Sequence, residues 1–178
     1  MTKIIGVAGR KRAGKNTAAD ALVGYEQLAF ATPLKLMLAT LLRYQGADDE
    51  LIDRMLEGDL KEVPTPLLAG QTPRYALQRL GTEWGRQQMA DSFWVDIALE
   101  KAKQVQQAVI TDVRFPNEVQ AIQDAGGRVI RIERPDRPVG TGEEHSSEVL
   151  IDTLDVNVTI VNNGSVDTLH AMMTGFVG

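Results

Sequence analysis

Residues 9–17 read Gly9-Arg10-Lys11-Arg12-Ala13-Gly14-Lys15-Asn16-Thr17, two glycines five positions apart with a lysine directly after the second. A short apolar run, residues 3–8, leads into this stretch, and residues 15–24 read as a helix leading out of it. That context constrains the fold more than any other feature of the chain. A buried strand that stops at a glycine and passes into a helix opens a layered α/β unit. The glycines let the backbone curl so that successive N–H groups can face inward, and the following helix adds its positive dipole end. Such a turn suits an anion.

This is the G-x-x-x-x-G-K spacing of a P-loop, in the strand-to-helix context that supports the assignment. Lys15 can reach the outer phosphates of a nucleotide and offset charge that gathers during phosphoryl transfer. Gly9, Arg10, Lys11, Arg12, Ala13, Gly14, Lys15, Asn16 and Thr17 are therefore the candidate ATP-binding residues. Asn16 stands where Ser or Thr usually meets Mg²⁺, and Thr17 follows one position later. Magnesium keeps several waters and needs few protein ligands, so the change is compatible with activity.

The rest of the chain continues the alternation. Helices are expected after Pro33, with Leu34, Met37, Leu38, Leu41 and Leu42 inside, and over residues 48–58. Residues 59–71 read as a loop. Thr72-Pro73 is an N-cap followed by proline at the first helical position, ahead of a Leu77–Leu80–Trp84 stripe. A helix from Phe93, a strand over 108–111 ending at Asp112, a helix over 116–125 and a strand over 129–133 follow. Residues 134–148 form an irregular polar loop; a strand over 156–161 and a helix capped by Ser165 close the chain, with Leu169, Met172, Met173 and Phe176 inside. Strands alternating with helices imply a mostly parallel sheet covered on both faces, with ligands outside the carboxyl ends of the strands. Gly9, Asp112 and Arg134 fall at such ends.

Composition narrows the function. The 178 residues carry a formal net charge of −5 and no cysteine. The first point argues against a nucleic-acid polymer as partner, and the second removes disulfides, thiol catalysis and Cys-based metal sites. The absence of a long apolar run or a signal-like N-terminus fits a cytoplasmic protein without a membrane partner. The positive charge is bunched, as suits a small, heavily phosphorylated ligand or else a set of solvated surface charges: Arg10, Lys11, Arg12 and Lys15; Arg74, Arg79 and Arg86; Arg114; Arg128, Arg131, Arg134 and Arg137.

On an α-helix, Arg79, Glu83 and Arg86 would share one face and could grip a monophosphate, or form a solvated face with an Arg–Glu pair. Gln78 and Thr82 could meet a base edge, and Trp84 or Trp94 could stack on it or lie in the core. Asp112 stands where such enzymes place a carboxylate close to Mg²⁺ or the acceptor, or else where a helix cap would stand. Asn16, Thr17 and Asp112 are thus the candidate metal contacts, and Arg114 a phosphate contact. Lys35 opens a helix, where a cation is unfavourable unless an anion is bound. Arg134 and Arg137 could close over a polyphosphate; His145 reads as a structural or lid contact rather than a general base, and His170 as structural.

The chain resembles the deoxynucleoside monophosphate kinases of bacteriophages nearly end to end. The resemblance rests on the G-K-N-T ending of the loop, on Phe30-Ala31-Thr32-Pro33-Leu34-Lys35, on Leu77-Gln78-Arg79-Leu80-Gly81-Thr82-Glu83-Trp84-Gly85-Arg86, on Ile110-Thr111-Asp112-Val113-Arg114-Phe115-Pro116-Asn117-Glu118, and on His145-Ser146-Ser147-Glu148. Members often carry Asp where this chain has Asn16. The resemblance implies a P-loop NTPase-type α/β fold similar to adenylate kinase. Its core would span about residues 1–45 and 105–178, its helical acceptor-binding insert about 46–104 and its lid about 134–148. It implies transfer of the γ-phosphoryl group from ATP, with Mg²⁺, to a deoxynucleoside 5′-monophosphate in a host cytoplasm. Lys15, Asp112, Arg114, Arg134 and Arg137 would be catalytic. Lys35, Arg74, Gln78, Arg79, Thr82, Trp84, Arg86, Asp112, Arg114 and Glu118 would bind the acceptor. A homodimer is left open. Alternatives are a P-loop kinase of another small phosphorylated metabolite, and a non-catalytic nucleotide-binding switch.

Overall fold

The computed structural model describes residues 2–135 and 150–177. The chain groups into two compact units, Met1–Ala29 with Val95–Gly178, and Phe30–Trp94.

The first unit is built on five strands, β1 (Lys3–Ala8), β2 (Glu26–Leu28), β3 (Gln107–Val113), β4 (Arg128–Glu133) and β5 (Val158–Val161). They are all parallel, in the order β2-β3-β1-β4-β5. Both faces are covered, which is why β1 is apolar at successive positions rather than alternate ones. Ile5 and Val7 join a core with Ala18 and Ala19 of α1 (Lys15–Asp20) and Leu169 and Met173 of α7 (Val166–Val177). Gly6 turns the other way, toward Ile122 of α6 (Pro116–Asp124). The connection leaving β1 runs toward one sheet edge and that leaving its neighbour β4 runs toward the other. Parallel α/β sheets bind ligands at such a reversal.

The second unit is helical: α2 (Thr32–Tyr44), α3 (Asp49–Leu56), α4 (Pro73–Arg79) and a π-helix, Leu80–Met89. Its core joins Leu38, Leu42, Ile52, Met55 and Leu56, with Leu77 and Leu80 packed against them. Local chemistry sets the helix starts. Asp48 accepts from the Leu51 amide at 2.8 Å, and Thr72 Oγ1 accepts from the Tyr75 amide at 3.0 Å. The helix α5 (Phe93–Ala102) passes from this unit into the first.

Several expectations change. The helix after the glycine loop ends at Asp20, and β2, with Leu28 as its one apolar residue, was too short and polar to be read as a strand. Residues 59–71 contain two 3₁₀ turns, Asp59–Glu62 and Pro66–Leu68. Met37 and Leu41 of α2 and Met172 of α7 are exposed, because the buried stripes are narrower than the apolar ones. The strongest departure is the π-helix. Its bonding runs five residues back, as from the Ala90 amide to the Gly85 carbonyl at 3.0 Å. Arg79 closes α4 and Arg86 lies inside the wider helix, so the i, i+7 spacing no longer places them on one face.

Candidate active site

The loop after β1 is held in an unusual backbone conformation. Gly9, Arg12 and Gly14 have φ of +149°, +66° and +102°. For the glycines this conformation is inexpensive; for Arg12 it is strained, a feature that collects at functional positions. Glycine is also required sterically. A Cβ at Gly9 would meet the Ile132 carbonyl oxygen at 2.6 Å, and one at Gly14 would meet Asn162 Nδ2 at 2.6 Å.

Four contacts hold the loop and its helix from outside. Asn162, at the carboxyl end of β5, donates through Nδ2 to the Ala13 carbonyl at 2.8 Å, while its own amide donates to Glu133. Arg10 engages Asp152 with both Nε (3.3 Å) and Nη2 (2.6 Å). The Asp152 carbonyl accepts from Arg131 of β4 at 2.9 Å. Chiefly through the Arg10 hydrogen bond, the Asp152 carboxyl is held below the usual carboxylate range. His170 Nε2 lies 2.9 Å from the Thr17 carbonyl, a structural contact. Inside the loop, Lys15 Nζ donates to the carbonyls of Gly9 (2.6 Å) and Arg10 (3.0 Å). The ammonium is therefore folded back over the bend.

Neighbouring strand ends bring further candidates to this edge. Val113 is in register with Ala8, which sets the half-buried Asp112 beside the start of the loop. Glu118 is 2% exposed and accepts from the Arg114 and Phe115 amides at 2.6 and 3.0 Å. Its carboxylate shapes the turn that carries Arg114, a supporting role that the acceptor-binding expectation did not foresee. Arg134 follows β4 and is exposed. Arg137, His145, Ser146, Ser147, Glu148 and residues 136–148 of the expected lid lie outside the described residues.

In the helical unit, the candidates separate. Arg79 pairs with Glu83 at 2.7 Å, and its guanidinium sits 4.9 Å from the Tyr75 ring centroid. Arg86 is turned toward Asp91, at 3.6 Å, with its side chain 13% exposed. Gln78 and Thr82 are half-buried. Trp94 is 3% exposed and donates to the Gly81 carbonyl at 2.9 Å, so it is core. Trp84 packs edge-on to Phe93 and against Trp94, with centroids 5.5 and 5.8 Å away. Glu83 Oε2 is buried without a hydrogen-bond partner among the described residues. Lys35 pairs with Glu57 at 2.5 Å and Arg74 with Glu62 at 2.8 Å.

Asn162 and Asp152 were not anticipated. A polar residue ending an apolar strand was a usable signal for Asn162, by the same logic that singled out Asp112. Asp152 had none.

A five-stranded parallel sheet with a glycine loop and lysine at the end of its first strand defines a P-loop α/β fold of the kinase type. The dephospho-CoA kinase from Campylobacter jejuni shows the same fold. The match has a TM-score of 0.50 and 11% identity, covering 99% of this chain and 96% of that one. The family model described as deoxynucleotide monophosphate kinase matches residues 70–173. A protein of Acanthamoeba polyphaga mimivirus, provisionally named a deoxynucleotide monophosphate kinase, is 29% identical over 193 residues, covering 98% of this chain and 95% of that protein. The chain belongs to the deoxynucleotide monophosphate kinase family.

Proposed function

We propose that this enzyme, a kinase of deoxynucleoside monophosphates, binds the phosphates of ATP in the loop of residues 9–17. The acceptor is then held by the side chains of the helical unit. The observation that carries the proposal is the pinned glycine loop, with three residues at positive φ and Lys15 folded over it. Backbone amides prearranged in this way need no reorganisation when a polyphosphate arrives.

In-line transfer of a γ-phosphoryl group to a phosphate oxygen asks little covalent chemistry of the protein. The acceptor oxygen is already ionised, so no general base is required. Lys15 exchanges the carbonyls of Gly9 and Arg10 for phosphate oxygens and offsets charge in the transition state. Arg114 and Arg134 supply further positive charge, and Arg137 belongs to the proposed lid of residues 134–148. Residues 46–104 are the proposed acceptor-binding insert; from it Arg74, Gln78, Arg79, Thr82, Trp84 and Arg86 are acceptor contacts, joined by Lys35 of α2. Asp112 and Glu118 are the remaining proposed acceptor-binding residues.

Magnesium fits the residues available. Asn16, Thr17 and Asp112 offer hard oxygen donors, and an ion that arrives with ATP keeps most of its remaining ligands as water and phosphate. When bound it neutralises charge on the β- and γ-phosphates. Among the described residues there is no cluster of three His, Cys, Asp or Glu that could hold a metal by itself. No helix of the described residues is long and apolar enough to cross a membrane.

A steady-state screen of all deoxynucleoside and ribonucleoside monophosphates with ATP tests the proposal. The expected result is ADP formation with at least one deoxynucleoside monophosphate, together with the matching diphosphate. ATP binding without turnover of any of them would overturn it.

A further inference from the structure

We propose that Lys61, together with Lys35 and Arg74, forms the phosphate-binding site for the acceptor monophosphate, and that Glu57 and Glu62 hold the two flanking cations until the phosphate displaces them. This deepens the kinase reading above and rests on it.

The three cations come from three elements of the helical unit: Lys35 from the first turn of α2, Lys61 from the 3₁₀ turn Asp59–Glu62, and Arg74 from the first turn of α4. The ion pairs Lys35–Glu57 (2.5 Å) and Arg74–Glu62 (2.8 Å) tie both helices to residues 57–62, on either side of Lys61. Lys61 is half-buried and forms no ion pair among the described residues. Its ammonium is disfavoured first by burial, then by Lys35 and Arg74, and only afterwards aided by Glu57 and Glu62.

A half-buried ammonium beside two other cations costs stability that an apolar or neutral side chain would not. Lys35 and Arg74 lie in first turns, where the helix dipole also disfavours positive charge. A phosphate monoester carrying roughly −1.5 to −2 charge relieves all of these at once. The carboxylates that now engage Lys35 and Arg74 are mostly exposed, at 59% and 61%, so water can take them over when a stronger anion enters.

The test uses the full-length enzyme with Lys61→Gln, Lys61→Arg and Glu57→Gln variants. It measures KM for ATP and for each deoxynucleoside monophosphate, and calorimetric binding of each monophosphate beside its matching deoxynucleoside. Circular dichroism confirms the fold of each variant. Lys61→Gln is expected to weaken monophosphate binding at least tenfold, to leave the ATP KM within twofold, and not to change binding of the deoxynucleoside. Lys61→Arg should recover most of the loss, and Glu57→Gln should tighten the monophosphate by removing a competitor for Lys35. If folded Lys61→Gln enzyme binds monophosphate within twofold of wild type while wild type turns it over, the Lys61 assignment is wrong and the kinase reading stands. A wild-type enzyme that binds no deoxynucleoside monophosphate overturns both.

Discussion

The side-chain amide of Asn162 donates to the carbonyl oxygen of Ala13 at 2.8 Å, joining the end of β5 to a loop 149 positions earlier in the chain. Asn162 is 9% exposed. The bond fixes one wall of the glycine loop, and the same Nδ2 lies 2.6 Å from where a Cβ of residue 14 would stand. Asn162→Leu should leave the Ala13 carbonyl unsatisfied, at a cost of about 1–3 kcal/mol. The melting temperature is expected to fall by about 2–4 °C per kcal/mol lost. The ATP KM should rise on the order of tenfold, as about 1.4 kcal/mol of lost preorganisation requires. An unchanged ATP KM in a destabilised variant would show that Asn162 supports the fold without shaping the loop.

Lys15 bridges the carbonyls of Gly9 and Arg10 across the bend. Lys15→Ala should keep the circular dichroism spectrum of the wild type while kcat falls by about 10²–10³ or more, the scale of losing one transition-state donor. Near wild-type turnover in that folded variant would mean the phosphates bind elsewhere.

Gly85 lies against the Trp94 indole so closely that a Cβ would stand 2.1 Å from Nε1 and 2.4 Å from Cε2. Trp94 cannot swing aside, because it is buried and bonded to Gly81. Gly85→Ala is therefore expected to destabilise the protein by about 1–3 kcal/mol or more. By distorting the π-helix it should raise the acceptor KM more than the ATP KM. Thermal unfolding and the two KM values check this; a neutral substitution would contradict the packing.

The Arg10–Asp152 pair makes a pH-dependent contribution whose sign follows from the carboxyl. Its folded-state pKa is lowered, mainly by the Arg10 hydrogen bond, so the stabilisation is present above the ordinary carboxylate pKa and lost as pH falls through the lowered one. Both partners are partly exposed, 35% and 51%, which limits the pair to roughly 1 kcal/mol or less. Asp152→Asn should lower the melting temperature at pH 7, and the gap from wild type should close as the pH falls below about 4. A gap that stays constant across that range would assign the effect to something other than the charge.

The parts of this architecture that could be read in advance are those with local causes. Thr72 and Pro73 start a helix because a hydroxyl acceptor and a preset φ act within one turn. The spacing from Gly9 to Lys15 announces a cradle because the required backbone conformation is open to glycine and costly to most other residues. Leu34, Leu38 and Leu42 line the inner side of α2, yet Met37 and Leu41 look equally apolar and are exposed. Hydrophobicity indicates which residues can be buried, and the width of the partner surface decides which are.

The π-helix and the grouping of cations belong to the other category. The segment from Leu80 to Met89 has the composition of an ordinary amphipathic helix, and its widening coincides with Trp94 lying against Gly81 and Gly85. That widening removed the shared face on which Arg79 and Arg86 would have acted together. Asp152 meets a residue 142 positions earlier in the chain with no local pattern to mark it, and Asn162, marked only as a polar residue ending an apolar strand, finds its partner 149 positions away.

Sequence alone determined the parallel α/β class, the glycine loop after the first strand and the resemblance to nucleotide kinases, because each depends on short-range backbone preference or on an unbroken string of residues. Tertiary structure alone decided what holds that loop in shape and which positive charges share one neighbourhood. Those relationships depend on strand order and helix packing, which bring together groups that the chain itself keeps apart.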